Sequence, residues 1–150
     1  MSQVIELPIE EKVSTGCSHL IKVDHTDLTE ATANTAQAIN IALAAGYAVG
    51  DVGFFKLKTP FRNSADAAHN TTTLSIGDNA SATTWRTAAE LNANGSKVDF
   101  GVFTATTAKA YTAADTIKLT FGSMSAKNLA ALNEGEVHLF VQLINLNKAS

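Results

Sequence analysis

The chain has 150 residues, 11 basic against 14 acidic side chains for a net charge of -3, 45% hydrophobic residues, 17% charged residues and a single cysteine. One domain of this length buries about 70% of the surface its unfolded chain exposes and needs no staple, while a lone Cys17 excludes an internal disulfide and a cysteine-based zinc site. The acidic balance, with Arg62 and Arg86 the two arginines, argues against nucleic acid or another polyanion as partner, because phosphate binding rests on clustered Lys and Arg.

The opening residues Met1 to Lys12 carry no basic region followed by an apolar stretch, so no secretory signal is expected, and the chain is expected to be made and folded in the cytosol. No apolar run approaches the roughly 18 residues of a membrane helix, so no membrane association is expected. Ile5, Leu7 and Ile9 alternate around Pro8, which predicts an extended arm over residues 1–17 ahead of one domain over 18–150. Proline donates no ladder hydrogen bond, so the arm is not a central strand. It either lies on its own domain or pairs with a neighbouring subunit.

His19, Ile21 and Val23 oppose Leu20 and Lys22, a strand that Asp24-His25-Thr26-Asp27 then turns. Between Thr35 and Ala44, alanine favours helix, but Ile39, Ile41 and Leu43 alternate strictly and predict a strand. Tyr47 to Thr59 reads as its hairpin partner, with Gly50 and Gly53 marking a bulge or a close backbone approach. Pro60 to Asn70 reads as a polar surface loop. Thr72, Leu74 and Ile76 share one side of a further strand that ends in Gly77-Asp78-Asn79. Trp85, Ala88, Ala89 and Leu91 fall at helical spacing, predicting one short helix between Ser81 and Asn94, started by Thr83 or Thr84 and ended by Asn94-Gly95. Val98, Phe100 and Val102 alternate with Asp99, Gly101 and Phe103.

The stretch Tyr111 to Leu146 is the predicted heart of the core. Ile117, Leu119 and Phe121 line one side of a half-buried strand. Val137, Leu139, Val141 and Leu143 line one side of the next, and His138, Phe140, Gln142 and Ile144 the other, so that strand is largely apolar on both faces and expected to be central. Six to eight short strands without helix-strand alternation predict an all-β fold: an antiparallel β-sandwich or barrel, jelly-roll-like, with at most one short helix.

Chemistry is sparse. His19, His25, His69 and His138 share no metal-ligand spacing, and the two carboxylates of Asp24-His25-Thr26-Asp27 read as a turn rather than a cation site. There is no Gly-x-Ser-x-Gly elbow, and Gly77-Asp78-Asn79 opens no phosphate-binding helix. Trp85, Tyr47 and Tyr111 read as core or rim residues before they read as a stacking platform. The sequons at Asn70, Asn79 and Asn94 are the kind that arise in loops rich in Asn, Ser and Thr. Outward Lys22, Lys56, Lys58, Lys97, Lys118 and Glu136 read as solvated faces or edge protection. No catalytic residue, metal or cofactor is expected, and the chain is not expected to be an enzyme.

The order of short phrases resembles the decoration, or cement, proteins of tailed-bacteriophage capsids. The phrases run Ala33-Asn34-Thr35-Ala36-Gln37, Leu57-Lys58-Thr59-Pro60-Phe61, Thr71 through Asp78, Ala110 through Ile117, and Leu132-Asn133-Glu134-Gly135-Glu136-Val137. The resemblance covers scattered pieces between Asp27 and Leu146 and carries over no catalytic position. It implies a structural virion protein, made in the host cytoplasm, that sits on the capsid exterior and bridges subunits of the major capsid protein. It further implies a homo-oligomer, a trimer at threefold positions, with shell contacts from Ile5, Leu7 and Ile9 of the arm and Phe61 and Arg62 of the loop. A carbohydrate-binding sandwich of a phage fibre or surface protein is the alternative, and it requires Trp85 exposed beside Tyr47 or Tyr111.

Overall fold

Alternation of apolar and polar side chains along short strands forces two sheets to face each other, because each sheet has one face to cover. The computed structural model describes residues 2–92, 97–103, 108–122 and 125–148. In chain order these form β1 (Gln3–Glu6), helix α1 (Ile9–Thr15), β2 (His19–Asp24), β3 (Gln37–Leu43), β4 (Tyr47–Arg62), β5 (Thr73–Gly77), β6 (Arg86–Glu90), β7 (Phe100–Val102), β8 (Lys109–Tyr111), β9 (Asp115–Phe121) and β10 (Glu134–Asn145). One sheet runs β1-β2-β10-β4-β7, with β8 pairing the start of β4, and the other runs β3-β9-β5-β6. Every pairing is antiparallel, as the sandwich prediction requires.

The inner faces meet in one core. Ile21, Val23, Phe55, Val137, Leu139 and Val141 come from the first sheet, Leu74, Ile76, Ile117, Leu119 and Phe121 from the second, and all are buried. β10 is central, flanked by β2 and β4, as its two apolar faces predict. The register between β10 and β4 shifts where Val141 faces Gly53 and Leu143 faces Val49, which is the bulge that Gly50 and Gly53 mark. Gly53 leaves room for the Phe103 ring, into which a Cβ would run.

Three sequence expectations fail here. The helix lies at Ile9–Thr15, inside the segment read as extended, and not between Ser81 and Asn94. Pro8 occupies its N-cap, Glu10 and Glu11 its first turn, and Gly16 at φ 71 its C-terminal cap, so local start and stop signals outweigh the alternation of Ile5, Leu7 and Ile9. Arg86–Glu90 is instead β6, held to β5 in a ladder that overrides alanine's helix propensity, and the Trp85 N–H donates to the Ile76 carbonyl; Asn94-Gly95 lies outside the described residues. Finally, β3 and β4 are not a hairpin: they sit in different sheets. Gly46, at φ 83, donates its N–H to the Tyr111 carbonyl, so the turn arches the chain from one sheet to the other. Pro60 to Asn70 likewise begins as strand, because β4 continues to Arg62.

Buried polar residues tie the sheets together at their ends. The Asp78 carboxylate, wholly buried, accepts hydrogen bonds from the Ala80 and Ser81 N–H groups, the Thr84 hydroxyl, the Lys109 ammonium and the Tyr111 hydroxyl. It thereby fixes the turn after β5 to β8 of the opposite sheet. Buried Asn92 accepts from the Thr72 N–H and donates to the Phe61 and His69 carbonyls, joining the end of β4 to the approach to β5. Burial alone would raise the Asp78 carboxyl, but the hydrogen bonds from Lys109, Tyr111 and Ser81 outweigh it and hold the group far below the usual carboxylate range. The same pairing, with burial as the larger cause, pushes the Tyr111 hydroxyl well above its ordinary value.

Replacing Asp78 by Ala leaves the Tyr111 hydroxyl and two backbone N–H groups without their acceptor, and is expected to cost about 3 kcal/mol in urea unfolding. Because the folded-state value lies below the unfolded 3.8, this stability is fully present above that pH and lost as pH falls from it toward the lower folded value. The stability gap between parent and Asp78→Ala is therefore expected to stay constant from pH 7 to about 5 and to narrow only in stronger acid.

Candidate functional surface

Strand pairing places side chains from different strands in rows, since residues directly opposite in an antiparallel ladder share a face. On the outer face of the first sheet the register aligns Ile5 with Leu20, Leu20 with Phe140, Phe140 with Phe54 and Phe54 with Val102. This is an apolar row crossing β1, β2, β10, β4 and β7 on the side away from the core. Phe54 and Phe140 stack at its centre, with ring centroids 4.7 Å apart and planes at 17°. At its ends Ile5 is 36% and Val102 66% exposed.

The neighbouring row, two residues along each strand, aligns Gln3, Lys22, His138, Lys56 and Phe100. It is cationic through Lys22 and Lys56 and ends on Phe100, 75% exposed. Beyond the apolar row on the other side lie exposed Asp51 and Val52 and the end of the sheet that α1 closes. Ile9 and Val13, one turn apart on α1, are 75% and 82% exposed. Among the described residues the outer face of the second sheet offers nothing comparable: Ala38, Asn40 and Ala42 of β3, Thr73 and Ser75 of β5 and Thr116, Lys118 and Thr120 of β9 are small or polar. An apolar row on one outer face of an alternating sandwich is the feature that marks an interaction surface.

The alternation in Val98 to Phe103 survives as β7, with its faces now assigned. Gly101 and Phe103 turn inward, the latter against Gly53, so Phe100 and Val102 are left facing solvent.

The residues named from sequence as shell contacts separate. Ile5 belongs to the apolar row, and Ile9 projects from α1. Arg62 is at the surface with its Nε 2.6 Å from the Glu134 carboxylate. Leu7 is buried, and Phe61 is wholly buried with its ring 5.4 Å from that of Phe121, so neither reaches a partner's surface from this fold. Sequence reasoning missed Phe54, Phe140, Phe100 and Val102, although the apolar outer side of β10 was its visible signal. Trp85 and Tyr111, at 1% and 7% exposure, are core residues, and no aromatic platform forms from them.

The Asp24 to Asp27 turn is held by its own hydrogen bonds. Asp24 accepts from the Thr26 N–H and hydroxyl, while the Asp27 carboxylate accepts from the Asp24 N–H, so this turn caps itself. Among the described residues no group of three His, Cys, Asp or Glu side chains is placed to hold a metal ion, and no helix is long and apolar enough to cross a membrane. Cys17 is buried with its Sγ 3.8 Å from the Val52 carbonyl, and burial pushes its thiol up to about 11.

No family model and no curated protein matches the chain. Among solved structures, a chain of the acidic stable capsid of Helicobacter pylori bacteriophage KHP30 is similar at a TM-score of 0.49 and 16% identity, over 95% of this chain and 91% of that one.

An interaction surface and a core answer mutation differently. Truncating Phe54 or Phe140 to Ala is expected to cost only about 1 kcal/mol, mainly the lost ring stacking. Phe55→Ala, one residue along on the inner face, is expected to cost about 4 kcal/mol. Equal losses on chemical denaturation would mean that the outer row supports the fold instead of facing a partner.

Proposed function

We propose that this chain is a structural protein of a phage virion that docks through the outer face of its first sheet onto the exterior of the assembled capsid. The observation that carries the reading is the apolar row Ile5-Leu20-Phe140-Phe54-Val102, flanked by Lys22 and Lys56. Its composition suits a protein surface: an apolar row with an aromatic pair at the centre and a charged border. The phrase-by-phrase resemblance to capsid decoration proteins supports the major capsid protein as the partner. Binding the assembled lattice in preference to free subunits stabilises it by mass action, and bridging neighbouring subunits is how the module discriminates the two. Many symmetric copies, trimers at threefold positions in this reading, make modest single contacts collectively strong.

The carbohydrate-binding alternative required Trp85 at the surface beside Tyr47 or Tyr111, and the burial of Trp85 and Tyr111 speaks against it. The aromatic residues of this face, Phe54, Phe140 and Phe100, bring apolar area but no polar group to orient a sugar.

The test is occupancy on purified phage heads lacking this protein, measured by co-sedimentation. Phe54→Lys is expected to lower affinity at least ten-fold, since it sets a charge into the centre of the contact, while the lost ring stacking lowers the melting temperature by only a few degrees. Deleting Met1 to Lys12 removes Ile5 and Ile9 and is expected to weaken binding as well. Parent-like binding by Phe54→Lys would move the contact to another face. Failure of the parent chain to bind heads would end the docking reading altogether.

A further inference from the structure

The fold has four kinds of strand edge, and three are protected. β1 has only four residues, ends in Glu6 and runs into Pro8; β7 and β8 have three residues each; β6 is bounded by Arg86 and Glu90. These are the devices by which edges avoid pairing: shortness, charge and proline. β3 has none of them. It pairs β9 along all seven residues, and among the described residues no backbone hydrogen bond reaches Ala38 to Leu43 from its other side. Its inward Ile39 and Ile41 are only half-buried. A groove of about 470 Å³ opens alongside, lined by Val4, Ile41, Leu43, Tyr47 and Leu143 among others.

The sequence of this edge says what would pair with it. Ala38-Ile39-Asn40-Ile41-Ala42 reads the same in both directions, and the symmetry extends to Ala36 and Ala44, broken only by Gln37 against Leu43. We infer that β3 is a self-association edge, pairing antiparallel with β3 of a second copy across a two-fold axis at Asn40. In that register Ile39 faces the partner's Ile41 on the inner side, Ala38 faces the partner's Ala42 on the outer side, and the two Asn40 amides meet at the axis. The second sheets of the two copies become one continuous sheet, and each half-buried isoleucine gains cover. Electrostatics do not oppose the approach: no charged residue lies between Glu30 and Asp51, in a chain of net charge -3. Outer-face side chains along the edge are alanines and one asparagine, so nothing bulky blocks the ladder.

A stable dimer buries about 1,600 Å² in total. A seven-residue ladder falls short of that, and the adjoining apolar groove adds the remainder only in part, so association is expected in the micromolar range or weaker. The inference is independent of the docking face, which lies on the other sheet.

The test is disulfide trapping at matched protein concentration under mild oxidation. Directly opposed residues have their Cβ atoms about 5 Å apart, close enough to bridge, whereas residues offset along the ladder are not. Asn40→Cys is expected to give covalent dimer at least ten-fold faster than Ala38→Cys or Ala42→Cys alone. An equimolar mixture of the Ala38→Cys and Ala42→Cys proteins is expected to cross-link between the two variants as fast as Asn40→Cys does with itself. All three positions are exposed, so the fold tolerates each change, and buried Cys17 in the parent is the background. Absence of dimer from Asn40→Cys would overturn the inference, as would Ala38→Cys trapping as fast as Asn40→Cys, because that register excludes the two-fold at Asn40.

Discussion

A strand has two faces, and β10 carries large apolar side chains on both. Inward it sets Val137, Leu139 and Val141 into the core, all fully buried. That placement requires neighbours on both sides, which β2 and β4 supply over most of its length. Once the inner register is fixed by core packing, the period of two dictates the outer register as well. Phe140 then has to stand beside Leu20 and against Phe54, and the apolar row on the outer face follows from the same ladder that makes the core. A one-residue slip of β10 would exchange its two faces, exposing Leu139 and turning His138 into the core. Surface and core are thus two readings of one register.

The frame that holds this register is polar and sits at the ends of the sandwich. Asp78 binds the turn after β5 to β8, and Asn92 binds the end of β4 to the approach to β5. Buried polar groups of this kind are costly unless fully satisfied, and both residues collect partners from several segments. Their work leaves the outer face of the first sheet and the free side of β3 without structural duties. Those two surfaces differ in kind: the face offers side chains with a cationic border, and the edge offers backbone. A protein that decorates a repeating lattice needs contacts to the lattice and is strengthened by contacts among its own copies.

Much of this was legible in the residues, and the failures have physical causes. β2, β3, β5, β9 and β10 were visible because alternating side chains report directly on a half-buried strand. The helix α1 was hidden by an accident of alternation running through Pro8, although proline, acidic first-turn residues and Gly16 spell out a short helix. β6 looked helical because Ala88 and Ala89 are good helix formers, and only its pairing with β5, a non-local contact, decides otherwise. A turn such as Ala44 to Gly46 has the same residues whether it closes a hairpin or arches between sheets, so the partners of β3 and β4 could not be read locally. The surface row was out of reach for a related reason. Ile5, Leu20, Phe140, Phe54 and Val102 are scattered from residue 5 to residue 140 and become neighbours only through four registers. Leu7 and Phe61, singled out as contacts, were apolar residues in segments that looked exposed; their burial shows that both segments fold onto the domain.

In the docking proposed above, the outer face of the first sheet meets the capsid and that of the second sheet does not. Thiol footprinting on phage heads measures this directly, with Lys56→Cys reporting on the first sheet and Lys118→Cys on the second. Head binding is expected to slow maleimide labelling at residue 56 at least ten-fold and to leave residue 118 as reactive as in the free protein. Labelling at residue 56 unchanged on the head, with residue 118 protected, would contradict that docking.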